Sequence, residues 1–306
     1  LDTYARSCAY SPDGTKLAVG LGGTIAGRGK QKFDGKFVIL HPDDLELIHE
    51  ARDSKKWIQE LKFSSDGNTL AVGSRDNKIY LYDVGNGFAI KATISKHNSF
   101  ISHLDFSADS QYVQSNCGAY ELLFHEADTG MHIPAASRLK DVRWGTWTCT
   151  LGWAVQGAWP QAQDGTVINA CDRSASGQTL ATADAFGRLK LYRYPCLTAD
   201  ASSKCYRGHS ANIRQVRWAG GDSHLISVGG TDRCIFQWVH DDDEVGAEDR
   251  ETAEVAGESG EDSDVEVGDE EIDVTEDLED FMAVKPWISA VVPPTNAPEG
   301  SLEPPP

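Results

Sequence analysis

Residues able to do chemistry gather in three places along this sequence of 306 residues. The stretch RWGTWTCTLGWAVQGAWP, 143 to 160, holds Trp144, Trp147, Trp153 and Trp159, half of the eight tryptophans. Such a cluster could bind a partner through its ring faces, stack nucleic-acid bases, or fill a core. The second group is cationic. Arg28, Lys30, Lys32 and Lys36 share a glycine-rich stretch with only Asp34 among them, and Arg52, Lys55 and Lys56 precede Trp57. Basic side chains on loops steer towards acidic partners, or simply keep a loop solvated. The third group is His209, Asp232 and Trp238, in RGHSANIRQVRW and GGTDRCIFQW. An imidazole, a carboxylate and an indole can hydrogen-bond in a chain that pins a buried turn, which is a structural role.

Catalysis and cofactors find little support. The sequence holds no G-x-S-x-G, no Walker-type phosphate loop and no H-E-x-x-H. No converging set of carboxylates or histidines is legible, so no enzyme activity and no cofactor are expected. The glycines of GLGGTIAGRGKQKFDGK (20–36) include G-x-G spacings without a surrounding βαβ unit, so they read as a long loop between strands. Cys196, Cys205 and His209 match no common zinc spacing, and no metal is expected. The seven cysteines are scattered with no C-x-x-C pair, and read as reduced, mostly buried thiols of a cytosolic protein.

The elements that must position these groups are strands. YSPDGTKLAVG (10–20), FSSDGNTLAVG (63–73), FSADSQYVQSN (106–116), RSASGQTLATA (173–183) and WAGGDSHLISV (218–228) each join a strand end, a polar turn and a β-rich strand. The turn residues Asp13, Asp66, Asp109, Ser176 and Asp222 are 53, 43, 67 and 46 positions apart. Units of about 40–45 residues with four strands each are WD40 blades, so the fold is expected to be an all-β propeller. Five blades are clear, and the 67-residue interval leaves room for an irregular sixth around the tryptophans. No strand that would close the ring is legible.

Period-two alternation refines the reading of the tryptophans. Trp147, Cys149, Leu151, Trp153, Val155 and Trp159 fall on odd positions, with small or polar residues between them. That pattern predicts a strand buried on one face; because a single strand would be too long for a blade, it either bends at Gly152 or Gly157 into a hairpin or leaves the blade to brace a neighbour. Buried rings make no stacking platform. Nucleic acid is not expected either, because the basic loops lack interleaved aromatics.

Charge divides the chain. Between His240 and Phe281 there are 21 acidic residues and one basic residue, Arg250, against a net charge of −19 for the whole chain. The part before this run is therefore nearly neutral. Residues 1–240 read as a WD40-type propeller that could be incomplete, and 241–280 as a disordered acidic linker. The apolar FMAVKPWISAVVPP begins a further, Pro-rich unit over 281–306, expected to be truncated. The start at Leu1 and the end at EPPP suggest a piece of a longer protein. Ser259 and Ser263, each with acidic residues just downstream, suit an acid-directed kinase. The linker could serve as a spacer, or could fold back on the basic loop and compete with an acidic partner. No run is long and apolar enough for a membrane helix, and no membrane partner is expected.

Four segments resemble the echinoderm microtubule-associated protein-like family. They are HEARDSKKWIQELKFSSDGNTLAVGSRDNKIYLYDV (49–84), KHNSFISHLDFSADS (96–110), WTCTLGWAVQGAWPQAQDGTVINA (147–170) and the closing 206–238. The Trp-rich block is the most specific, since generic WD40 sequences lack it. The resemblance points to the second propeller of a tandem unit, from a long member carrying several such units. It implies a non-catalytic module that binds tubulin or microtubules, in the cytoplasm and on the cytoskeleton, with the basic loops as contact residues. The alternative is a general WD40 scaffold that recruits kinases or ubiquitin-ligase partners.

Overall fold

The computed structural model of the protein describes residues 3–23, 34–159, 167–198 and 201–240. Arg28, Lys30, Lys32, Ser259, Ser263 and both segments expected after residue 240 lie outside the described residues.

Among the described residues, eighteen strands form five antiparallel sheets. The first holds β1 (Ala5–Tyr10), β2 (Leu17–Leu21), β3 (Lys36–Leu40) and β4 (Leu47–Arg52). The second holds β5 (Ile58–Phe63), β6 (Thr69–Ser74), β7 (Ile79–Asp83) and β8 (Ala89–Ile94). The third has three strands, β9 (Ile101–Phe106), β10 (Tyr112–Cys117) and β11 (Leu122–Glu126). The fourth has β12 (Ile168–Arg173), β13 (Thr179–Asp184), β14 (Arg188–Arg193) and β15 (Ser203–Arg207). The fifth has β16 (Ile213–Trp218), β17 (His224–Gly229) and β18 (Ile235–Val239). These five sheets are the blades of a β-propeller, and among the described residues helix is confined to short 3-10 turns.

The repeated turn motif explains why the first two strands of the first four blades pair in register. Ser11, Ser64, Ser107 and Ser174 each accept a hydrogen bond from the backbone N–H five residues on, at 2.9 to 3.0 Å. In the first three, the serine hydroxyl also donates to the aspartate two residues on, Asp13, Asp66 or Asp109. These side chains satisfy backbone groups that a tight turn would otherwise leave unpaired. The next residue takes a positive φ, supplied by Gly14 and Gly67 at 71° and 75°. Ser110 adopts 61° at the third turn, where an L side chain is strained.

Burial falls from the middle of each blade to its outer strand. In the second blade β6 is buried along its whole length, whereas β8 is mostly exposed. Middle strands are sandwiched between neighbouring sheets, which is why TLAVGS and IYLYD read as continuous apolar runs rather than alternating ones. The largest core cluster, with Phe37, Ile39, Ile58, Leu61, Leu70 and Tyr82, lies between the first and second sheets. Among the described residues no strand pairs β1 with the last sheet.

The tryptophan stretch departs from the expectation. Its described residues contain no strand, only an isolated bridge between Ser107 and Trp144 and a 3-10 helix over Trp153–Ala158. The irregular unit expected there contributes no sheet and instead wedges between the third and fourth blades. Its backbone donors go to side chains. Thr148 and Cys149 donate to the Asp105 carboxylate on β9 at 2.8 and 2.9 Å, and Leu151 donates to Asn116 on β10 at 3.0 Å. On the other flank, the Arg173 guanidinium donates to the carbonyls of Trp144 and Gly145. Gly152, at a φ of 135° that suits glycine, leads into this 3-10 turn rather than into a hairpin, and the segment leaves the blades to brace them.

Trp147 is 1% exposed and Trp144 6%, and they pack edge to face with centroids 6.4 Å apart. Trp159 is half-buried and donates its indole N–H to the Thr150 carbonyl at 2.7 Å. Trp153 does not share this burial, because the 3-10 turn carries half of its surface into solvent.

Candidate functional site

The connection from β4 to β5 brings Lys55 and Lys56 to the surface beside Trp57. Asp76, in the turn after β6, fixes this connection by accepting from Ser54 Oγ at 2.9 Å and from the Lys55 N–H at 3.2 Å. Both lysines line a cleft of about 540 Å³ together with Trp57, Arg75, Asn77, Asn98 and Phe100. Arg75 stands between two rings, its guanidinium carbon 5.0 Å from the Trp57 centroid and 4.5 Å from that of Phe100. Its Nε is buried without a hydrogen-bond partner. A second guanidinium, from Arg6, lies 4.2 Å over the Trp57 ring.

Cations held over aromatic faces are attracted by the ring quadrupole and keep their charge available to a ligand. The nearby carboxylates are already committed. Asp76 also accepts from the Tyr80 hydroxyl at 2.8 Å, Asp53 from the Tyr82 hydroxyl at 2.9 Å, and Asp34 from the Gly23 N–H at 2.8 Å. Burial, then these carboxylate contacts, push both tyrosine hydroxyls far above their ordinary pKa, so they remain neutral donors. The cleft thus combines cations, flat apolar rings and amide groups, a chemistry that suits an acidic peptide segment.

Two other residues of the basic group sit elsewhere. Lys36 on β3 pairs with Glu50 at 2.5 Å, and Arg52 on β4 donates to the Asp34 carbonyl at 2.8 Å. Arg6, Arg75 and Phe100 were not singled out from the sequence. Arg75 lies 18 residues beyond Trp57 on the adjacent strand end, where its backbone N–H bonds the Trp57 carbonyl at 2.9 Å. Only the pairing of β5 with β6 reveals that proximity.

His209, Asp232 and Trp238 meet in the fifth blade through Ser227. The histidine contacts Asp232 Oδ2 at 2.7 Å through Nδ1 and Ser227 Oγ at 2.8 Å through Nε2, while the Trp238 indole donates to the same hydroxyl at 2.8 Å. His209 and Ser227 are buried and Asp232 and Trp238 partly so, and the bonded chain braces the turn.

A set of ionisable residues that the sequence did not reveal converges on the strands where the blades meet. Lys62 lies 3.8 Å from Asp105, and Arg217 on β16 reaches Glu60 on β5 at 3.7 Å, joining the fifth blade to the second. Asp172 accepts from the Trp218 N–H at 2.8 Å. Burial raises the pKa of Glu60 and Asp172 despite the opposing charge of Arg217. Burial also drives His103 down to about 4, so its imidazole is neutral. Asp105 differs: burial pushes it up, but Lys62 and the donors from Thr146, Thr148 and Cys149 outweigh this and hold it below the ordinary carboxylate range. These carboxylates are occupied by internal partners, an arrangement that locks blades together.

All seven cysteines are free thiols; Cys117, Cys149, Cys171 and Cys196 are buried and Cys8, Cys205 and Cys234 exposed. No helix among the described residues is long and apolar enough to cross a membrane.

Residues 1–240 match the family described as echinoderm microtubule-associated protein second beta-propeller. The chain is 38% identical over 241 residues to echinoderm microtubule-associated protein-like 1 of Homo sapiens, covering 78% of this chain and 28% of that protein. It is 40% identical to echinoderm microtubule-associated protein-like 2 of Rattus norvegicus, with 78% and 35% covered. Identity to the 77 kDa echinoderm microtubule-associated protein of Strongylocentrotus purpuratus is 39%, with 78% and 34% covered. The chain therefore spans about a third of the length of these relatives. Among solved structures, the Cps50 (Swd1) β-propeller domain of Myceliophteria thermophila superposes with a TM-score of 0.53 at 15% identity, covering 82% of this chain and 70% of that one, a likeness of fold alone.

Proposed function

The chain belongs to the echinoderm microtubule-associated protein family, matching its second β-propeller, and from that premise we propose that it is a non-catalytic module that binds tubulin or microtubules. The observation that carries this reading is the placement of Arg75 between Trp57 and Phe100, with Lys55 and Lys56 beside it in one cleft. An acidic segment would lay its carboxylates on these cations and its apolar atoms on the rings. Long-range attraction would speed the encounter, and the rings would slow release. Arg28, Lys30 and Lys32 would add to the same steering. The module would act in the cytoplasm on the cytoskeleton, with residues 241–280 as an acidic spacer ahead of a further unit.

The test is co-sedimentation of the full 306-residue chain with stabilised microtubules over a salt series. Pelleting at low salt that weakens steeply as salt rises is expected. Failure to pellet at low salt would reject direct microtubule binding. A second reading, a scaffold for other proteins, rests on the apolar edge that β18 exposes through Ile235 and Val239. Salt-independent capture of a partner, abolished by Ile235→Lys, would favour it.

A further inference from the structure

The third blade carries an altered copy of the hydrogen-bonded chain that braces the fifth. His97 and Ser115 are 18 residues apart, as are His209 and Ser227. His125 pairs with Val113 across β10 and β11 just as Trp238 pairs with Leu225 across β17 and β18. Cys117, two residues after the serine, replaces Gly229, and the carboxylate nearest the imidazole comes from Glu121, which closes the turn as Cys234 does in the fifth blade, rather than from a residue at the Asp232 position.

The fifth blade satisfies its histidine on both sides; the third does not. His97 Nε2 meets Ser115 Oγ at 2.7 Å, but Nδ1 has no hydrogen-bond partner although the side chain is fully buried. The Glu121 carboxylate stands 3.5 Å from it, too far for an effective hydrogen bond. Both nitrogens of buried His125 are unpartnered as well. The Cys117 thiol donates to Glu121 Oε2 at 3.1 Å. A ring nitrogen of His97, Cys117 Sγ and a Glu121 oxygen all lie within 4.8 Å of one another, and Nδ1 is the nitrogen on the Glu121 side.

We propose that His97, Cys117 and Glu121 form a binding site for a thiophilic divalent cation of the zinc class. Ligands about 2.0–2.3 Å from a tetrahedral zinc ion stand roughly 3.3–3.8 Å from each other, so small side-chain rotations close this set on an ion. Thiolate and carboxylate together balance the charge of the cation, and the thiol proton leaves to solvent as the Cys117–metal bond forms. With Nε2–H donating to Ser115 Oγ, the lone pair of His97 is on Nδ1, facing the other two ligands. Asn98 orients the carboxylate through its backbone N–H at 3.0 Å from Oε2 and through its side-chain amide on Oε1. The Glu121 side chain is 26% exposed, so water can complete the fourth position from that side. Asn98 also lines the cationic cleft, which places the ion beside it.

The site is tested by titrating the full chain, carrying Cys8→Ser, Cys205→Ser and Cys234→Ser to remove the exposed thiols, with cobalt(II) and then zinc(II). One equivalent of cobalt should give a thiolate-to-cobalt charge-transfer band and the strong visible bands of four-coordinate cobalt, both displaced by zinc. Cys117→Ser, nearly isosteric, should abolish the charge-transfer band, and Glu121→Gln should weaken binding at least tenfold. Near-ultraviolet circular dichroism of the tryptophans checks that each variant is folded. Absence of the band, or its persistence in folded Cys117→Ser, would overturn the proposal.

Discussion

The Asp105 carboxylate on β9 accepts hydrogen bonds from the Thr148 backbone N–H at 2.8 Å and from its hydroxyl at 3.0 Å, across 43 residues of sequence. Cys149 N–H and the Thr146 hydroxyl join them at 2.9 and 2.6 Å. One buried anion thus does what a neighbouring strand would otherwise do, collecting the donors of a segment that has no ladder to join.

Asp105→Ala should therefore cost about 3–5 kcal/mol, because it leaves several buried donors and Lys62 without their partner. Urea unfolding would measure it, with a red shift of tryptophan emission as the wedge loosens. The same carboxyl is held below its ordinary pKa in the folded state. Its contribution is fully present above the unfolded value of about 3.9 and is lost as pH falls through the lower folded value. Asp105→Asn should flatten that acid limb of the stability profile.

Arg217→Met should behave in the opposite sense. Glu60 and Asp172 have raised folded pKa values even with the guanidinium present. Removing it leaves two buried carboxylates uncompensated at neutral pH. Because Arg217 keeps 35% of its side chain exposed, solvent screens the pair, and a loss of about 2 kcal/mol at pH 7 is expected. Acids with raised folded pKa values bind protons more tightly folded than unfolded, so the deficit should shrink as pH falls through the raised folded values. A deficit independent of pH in urea titrations would contradict this.

Trp147 and Trp153 should separate core from surface. Trp147→Ala empties a fully buried site packed by Trp144 and Tyr194 and should cost about 3–5 kcal/mol. Trp153→Ala removes a ring already half in solvent and should cost about 1 kcal/mol or less. Thermal unfolding of the two variants decides it, and neither should change microtubule affinity in the folded protein.

In the cleft, Arg75→Ala should weaken microtubule binding about tenfold, the effect of one cation held between two rings. Lys55→Glu with Lys56→Glu should weaken it further and reduce the slope of affinity against salt. Reversing Arg28, Lys30 and Lys32 tests the glycine-rich loop separately. Affinity unchanged by all five reversals would remove the electrostatic account while leaving the module free to bind by another surface.

The sequence alone determined the blades, because their information is local. Each Ser-x-Asp turn carries its own hydrogen-bond donors and acceptors within five residues, and each apolar run marks a strand sandwiched between sheets. The Trp-rich stretch was legible as mostly core and as a segment that could brace a neighbouring blade, but its alternation pointed to a strand that does not form. Parity reports which side chains are alike, and cannot report that Asp105 and Asn116, far upstream, take the backbone donors a ladder would need. The site was legible in part: Lys55 and Lys56 stand beside Trp57 in the chain itself. Arg75 and Phe100 join them only when β5 and β6 pair and the third blade packs alongside. His97, Cys117 and Glu121 likewise become a set only when strand pairing brings 97 and 121 together. Side-chain types are written along the chain, whereas distances between segments follow from how the sheets close, and only the tertiary structure sets those.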